Sequence, residues 1–200
     1  MTFLTPVKYG VGMTLADVLP DAPTTTADAL DLFDASPAVS TEFMLGTWHG
    51  DEMPTDHPLD GMLAASGWWG KQFVDGENVH PLLFPTRDRG ALWAVNPVLA
   101  FSGLGLATRI PAVKNQNLRG AVNALSPVLR TRTAKARLRT TRYRDVDTAT
   151  MIYDQLPIND VFRRLDGVAG ADAVIGAMDL RGLTRPYFFV LRRDDSLRLR

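Results

Sequence analysis

The residues best equipped for chemistry cluster at 45–61, "LGTWHGDEMPTDHPLDG", where His49 and His57 stand among the carboxylates Asp51, Glu52, Asp56 and Asp60. Imidazole beside carboxylate is the material of acid–base centres and of metal sites. A metal site needs its ligands at a compact spacing. His49, His57 and His80 are the only histidines in the chain, and they form no His-x-His or His-Glu-x-x-His pattern. No metal and no other cofactor is expected.

A second cluster, "YDQLPIND", brings Tyr153, Asp154, Asn159 and Asp160 together. Pro157 can open a short helix that Asn159 and Asp160 help to cap, the commoner employment of such residues. Alternatively Asp154, with Tyr153 or His57, does acid–base work at the mouth of a pocket. The chain contains no cysteine, which removes thiol catalysis, disulfides and zinc-thiolate centres. Its serines lack a Gly-x-Ser-x-Gly elbow.

What these residues can do depends on the elements that carry them. On a strand, side chains alternate between faces. Gly46, Trp48 and Gly50 therefore share one face, where the glycines leave space for the indole. Thr47, His49 and Asp51 share the other, toward solvent. The segment "STEFMLGTWHG" reads as one strand. Asp75-Gly76 signals a hairpin, with "VHPLLF" the returning strand. "ALWAV" is a further strand, followed by a loop broken by Pro and Gly.

"TAKARLRTTRYR" alternates cleanly, with Ala134, Ala136 and Leu138 on one face and Lys135, Arg137 and Arg139 on the other. That is the pattern of a half-buried antiparallel strand. "DTATMIYD", "DAVIGAMDL" and "PYFFVLRR" supply three more. Helical signals are few: "TTTADALDLFDAS", with Thr26 as N-cap and Leu30, Leu32 and Phe33 inward, a turn over 59–65, and a looser stripe over 104–129. Residues 1–24 read as a loosely held tail and 25–200 as one domain.

The net charge of zero conceals an asymmetry. Residues 1–103 hold four Lys and Arg against thirteen Asp and Glu, whereas residues 104–144 hold ten basic residues and no acidic one. Such a segment invites a nucleic-acid reading. Its arginines, however, lie on the outer face of a strand with few aromatics, so no nucleic-acid partner is expected. The N-terminus lacks the charged start and apolar run of a secretory signal, and no apolar stretch approaches the ~20 residues of a membrane span. A cytoplasmic protein is expected.

Longer motifs carry a resemblance. A Gly-x-Trp opening strand and a closing aromatic strand ending in Arg192 and Arg193 resemble calycin barrels, the lipocalin-like and fatty-acid-binding-like group. There an Arg near the last strand packs across the Trp. "FMLGTWHG…PTDHPLDG…WWGKQF…VHPLLF" looks like the bacterial family named for its Gly-x-Trp-x-Gly motif. "TATMIYDQLPINDVFRRLDG…VIGAMDLRG…PYFFVLRRD" looks like the domain of unknown function that usually follows it. "GTWHG" also resembles nitrobindin-type haem barrels, but their proximal His near the C-terminus has no counterpart after His80.

The resemblance implies a mainly β protein: an antiparallel calycin-like barrel with a few short helices. Its Gly-x-Trp-x-Gly part spans about 40–100, a basic insert 104–129 and C-terminal strands 132–195. Such a barrel can hold a small hydrophobic or amphipathic ligand. The expected function is therefore lipid-like ligand binding by an intracellular carrier or sensor, with an enzyme in the same cavity as the alternative. Candidate ligand-binding residues are Trp48, Trp68, Trp69, Phe73, Phe84, Met151, Tyr153, Met178 and Phe189. The 104–129 segment is expected to be a helical lid, with Arg142 beneath it for an anionic lipid headgroup; an anionic membrane surface is a further expected partner.

Overall fold

The computed structural model describes residues 14–107, 118–166 and 171–200. The clean alternation over 136–143 produces a strand, Ala136–Tyr143 (β6), with Ala136 and Leu138 buried inside and Arg137 exposed. It pairs along its whole length with Val146–Tyr153 (β7), where Asp145 and Arg144 take positive φ in the tight turn. The other strands are Gly46–Glu52 (β1), Gly70–Phe73 (β2), Val79–Pro85 (β3), Leu92–Val95 (β4), Arg130–Thr131 (β5), Ile158–Leu165 (β8), Ala173–Leu180 (β9) and Tyr187–Arg193 (β10). All pair antiparallel in the order β2-β1-β10-β9-β8-β7-β6-β3-β4-β5. A further β2–β3 pairing closes eight of them into a barrel, with β4 and β5 as an extension beside β3.

Closure leaves two apolar surfaces, one inside and one outside. The inner cluster includes Trp48, Phe73, Phe84, Leu138, Met151, Phe162, Phe189 and Leu191. The outer one, on β8, β9 and β10, is covered by Leu15–Val18 (α1) and Thr26–Ala35 (α2), whose Val18, Ala29 and Phe33 are buried against Val161, Ile175, Phe188 and Val190. Strands buried on both faces read as apolar runs rather than as alternation, as "AVIGAM" and "YFFVL" do. Of the expected tail, residues 1–13 lie outside the described residues, and 14–24 carry α1, whose Leu15 N–H donates to Asp51 at 2.7 Å.

Four local expectations are corrected. "STEFM" is a short helix, Thr41–Met44 (α3), capped by the Ser40 hydroxyl, and only then does β1 begin. The N-cap of α2 is Thr25, one residue earlier, because its hydroxyl accepts from the Asp28 N–H. The Pro- and Gly-broken stretch after β4 is a helix, Pro97–Ala107 (α5). Proline suits a first helical position, and the Asn96 side chain accepts from the Val98 N–H. Residues 158–165 form β8 instead of a capped helix, so Asn159 and Asp160 are strand residues on opposite faces. The remaining helices are Met62–Ser66 (α4), Arg119–Ala124 (α6) and Ser126–Leu129 (α7). Within the expected lid, 108–117 lie outside the described residues; α6 sits beside α4, joined by Leu118 N–H to Ala65 O at 3.0 Å, and leads into α7.

Trp48 is fully buried at the base of the barrel. Its indole N–H donates to Met44 O at 2.7 Å, and the Arg193 guanidinium lies 4.5 Å over its ring. Arg193 also donates to the Phe43 and Leu45 carbonyls, lacing α3 to β10. The glycines beside Trp48 make room for its neighbours rather than for its own ring. A Cβ on Gly46 would lie 2.7 Å from an Arg193 nitrogen, and one on Gly50 2.2 Å from the Trp68 ring.

Candidate functional site

Inside the barrel lies an ion pair. Lys71 on β2 and Asp160 on β8 meet at 2.8 Å, with side chains 3% and 1% exposed. Alternation puts them there: Lys71 stands opposite Trp48 across β1–β2, and Asp160 opposite Met151 and Met178, all with inward side chains. Taking two charges out of water costs several kcal/mol per ion, and a well-packed apolar pair serves stability as well or better. The pair is therefore a specialised feature of an otherwise apolar interior.

Its surroundings complete a site. The Lys71 ammonium donates to Pro81 O at 3.2 Å and lies 5.0 Å from the Phe189 ring, 5.4 Å from Trp68 and 5.9 Å from Tyr153. Asp160 accepts Lys71 on Oδ2, while its Oδ1 and the Trp68 indole nitrogen are buried with no hydrogen-bond partner among the described residues. A cavity of about 30 Å³ opens here, bounded by Lys71, Asp160, Trp68, Tyr153, Tyr187 and Phe189. Leu82 and Met178 complete its wall, and Leu63 of α4 and Phe101 of α5 cover it. Burial raises the Asp160 carboxyl above its ordinary range, against the opposing pull of the Lys71 charge. Burial also pushes the Tyr153 phenol well above its usual range, with the Asp160 charge adding to the effect.

At the rim, Tyr187 connects the cavity to a second buried group. Burial, followed by the charge of Glu52, raises the Tyr187 phenol well above its ordinary range. Glu52 is 5% exposed and receives the N–H groups of Gly61, Leu63 and Ala64, holding the start of α4. Asp60 likewise accepts the N–H groups of Thr55 and His57 at 3.1 and 2.8 Å. His57 accepts the Leu59 N–H on Nδ1 at 3.1 Å, and its ring lies 5.4 Å from that of Tyr187. These carboxylates shape the loop that carries Leu63 over the cavity.

Of the candidate residues, Trp68, Tyr153, Met178 and Phe189 line the cavity. Trp48, Phe73, Phe84 and Met151 lie in the same inner cluster without bounding it. Trp69 points outward, because neighbours along an extended chain face opposite ways; it stacks on His49 at 4.6 Å, with the rings 4° apart. His49 is thus half-buried under Trp69 rather than turned to open solvent, and Asp51 is tied to α1. Arg142 stands on the exposed β6–β7 hairpin, 3.5 Å from Asp147, and does not reach the interior. Asp154 lies outside as well, 3.3 Å from Arg137. No group of His and acidic residues with metal-holding geometry occurs among the described residues.

Sequence reasoning passed over Lys71 and assigned Asp160 to a cap. The signal that finds them is alternation carried through the polar positions: Lys71 and Phe73 share a face, as do Ile158, Asp160 and Phe162. A charge on an apolar strand face asks for an opposite charge on a facing strand.

Comparison with known proteins divides the barrel into two matched regions. Residues 31–89 match the model of the GXWXG protein family, and residues 134–193 that of a domain of unknown function, DUF4334. A crystal structure of a protein from Thermomonospora curvata is 30% identical, with a TM-score of 0.62 over 90% of this chain and 95% of that one. The chain belongs to the GXWXG family. No curated protein matches it. In this GXWXG protein the two matched regions are halves of one cavity: the first contributes Leu63, Trp68, Lys71 and Leu82, the second Tyr153, Asp160, Met178, Tyr187 and Phe189. The ion pair joins them.

Proposed function

We propose that this protein binds a small hydrophobic or amphipathic molecule inside its barrel, acting as an intracellular carrier or sensor. The observation that carries the reading is the Lys71–Asp160 pair, held in an aromatic-lined cavity with one carboxylate oxygen unengaged among the described residues. Ligand sites combine such an apolar wall with a few convergent polar groups. The cavity holds about 30 Å³, whereas a ligand pocket commonly measures ~300–1,000 Å³. It accepts a polar group as it stands, and an apolar body enters by displacing Leu63 and Phe101 with α4 and α5. The helices beside it expose Leu99, Leu125 and Val128 near Arg130 and Arg132, a surface suited to taking ligand from an anionic membrane. Among the described residues no helix is long and apolar enough to cross a membrane.

An enzyme in the same cavity is the second reading, favoured by the raised Asp160 carboxyl beside an ammonium, a combination suited to proton transfer. Asp160 then takes the role first given to Asp154, with Tyr153 as its partner. Native mass spectrometry of freshly purified protein, followed by solvent extraction, tests the binding reading. An adduct whose extract contains an apolar small molecule supports it. Protein that stays bare, and gains no adduct from a broad lipid extract, refutes it.

A further inference from the structure

Building on the proposed binding role, we propose that the ligand is uncharged and carries a hydroxyl group, which donates to Asp160 Oδ1 and accepts from the Trp68 indole N–H. Both atoms are buried, both belong to residues that bound the same cavity, and neither has a hydrogen-bond partner among the described residues. Asp160 is 1% exposed and Trp68 8%. One of these atoms accepts and the other donates. An alcohol oxygen answers both, since a hydroxyl is donor and acceptor at once. The cavity, at about 30 Å³, has room for a group of that size beside the ion pair.

Charge excludes the alternatives. Lys71 and Asp160 neutralise each other at 2.8 Å, so the pair offers an incoming ion no net charge to match. A carboxylate has no proton for Asp160 Oδ1 and would set a second anion beside it. An ammonium could donate to Asp160 but not accept from Trp68, and it would meet the Lys71 cation. Either ion would enter a low-dielectric interior uncompensated. A hydrocarbon leaves both buried polar atoms unanswered. Sites built to bond a hydroxyl reject the analogue lacking it strongly, because their polar groups are then stranded.

The test uses a matched set on the intact protein: cyclohexanol, cyclohexanecarboxylate, cyclohexylamine and methylcyclohexane, with affinities from ligand-observed NMR titration. The alcohol is expected to bind at least about tenfold more tightly than each of the others. Trp68→Phe, which keeps the ring and removes the donor, should erase most of that preference. The double variant Lys71→Met/Asp160→Leu, which strands no charge, should favour methylcyclohexane instead. Equal binding of all four, or a preference for the carboxylate, overturns the hydroxyl assignment while leaving a ligand-binding barrel in place. Binding of none at saturation overturns both. A preference for alcohol that survives in Trp68→Phe and in any folded double variant also overturns the assignment.

Discussion

Lys71 and Asp160 are each other's only ionic partner among the described residues, and that sets the response of each to substitution. Lys71→Met alone leaves a carboxylate in the core, and Asp160→Leu alone leaves an ammonium; each single change should cost ~3–5 kcal/mol. Replacing both should bring stability back to wild type or above, since an apolar pair of similar volume often packs as well. Urea unfolding of the three variants checks this, and additive losses would show that the pair is not coupled. Gly50 makes a second residue-scale case. A Cβ there would lie 2.2 and 2.5 Å from Trp68 ring carbons, so Gly50→Ala must push Trp68 off the cavity wall. Overpacking of this kind costs ~1–3 kcal/mol, and the variant should show altered Trp fluorescence along with a lower unfolding midpoint. Unchanged emission and stability would mean the ring can move away freely. The Gly-x-Trp-x-Gly motif was legible as a packed face; what its glycines admit was not, because Arg193 and Trp68 come from other elements.

At the scale of elements, legibility followed burial. β6 keeps one exposed polar face and announced itself by alternation. β8 is buried on both faces apart from Asn159 and Arg164. Its inward Asp160 imitates a cap after Pro157 to any reading that expects charge at a surface. The missing strand and the missing half of the site were thus one error. α5 was hidden by composition: glycines at 103 and 105 and the leading proline suggest a loop, yet Pro97 occupies the position a helix tolerates best. The Trp68-Trp69 pair was legible as aromatic but not as one ring in and one ring out, since the turn before β2 decides which is which. What the strands position was therefore harder to read than the strands themselves.

Over the whole molecule, charge is spread by pairing across distant segments. The basic stretch that stands alone in sequence meets acidic partners from elsewhere: Arg144 reaches Asp34 at 2.6 Å, Arg139 pairs with Glu77, and Arg137 with Asp154. Two histidines make the molecule sensitive to mild acid. Burial lowers the affinity of His49 and His80 for a proton below the ordinary 6.5, although Asp194 and Asp51 partly oppose this at His49 and Arg192 reinforces it. The unfolded chain then binds protons that the folded chain refuses. Stability from these residues is complete above about 6.5 and is lost as pH falls toward their lowered folded values. Asp160 acts with the opposite sign, since its raised carboxyl favours the fold as pH drops through its own range. The urea midpoint should decline from neutral pH to about pH 5, and His49→Gln/His80→Gln should flatten that decline; an equal decline in the variant would remove the histidines as its cause.

Ligand occupancy of the barrel interior is tested most directly by methyl NMR on protein labelled at methionine. Met178 bounds the cavity, Met44 and Met151 lie in the inner cluster without bounding it, and Met53 belongs to the outer cluster beneath the helices. Titration with cyclohexanol should move the Met178 methyl in a saturable way and give contacts between its methyl and the ring protons, with Met53 unmoved. A Met178 signal that stays in place at saturating alcohol, or shifts no larger than those of Met53, would contradict a ligand site inside the barrel.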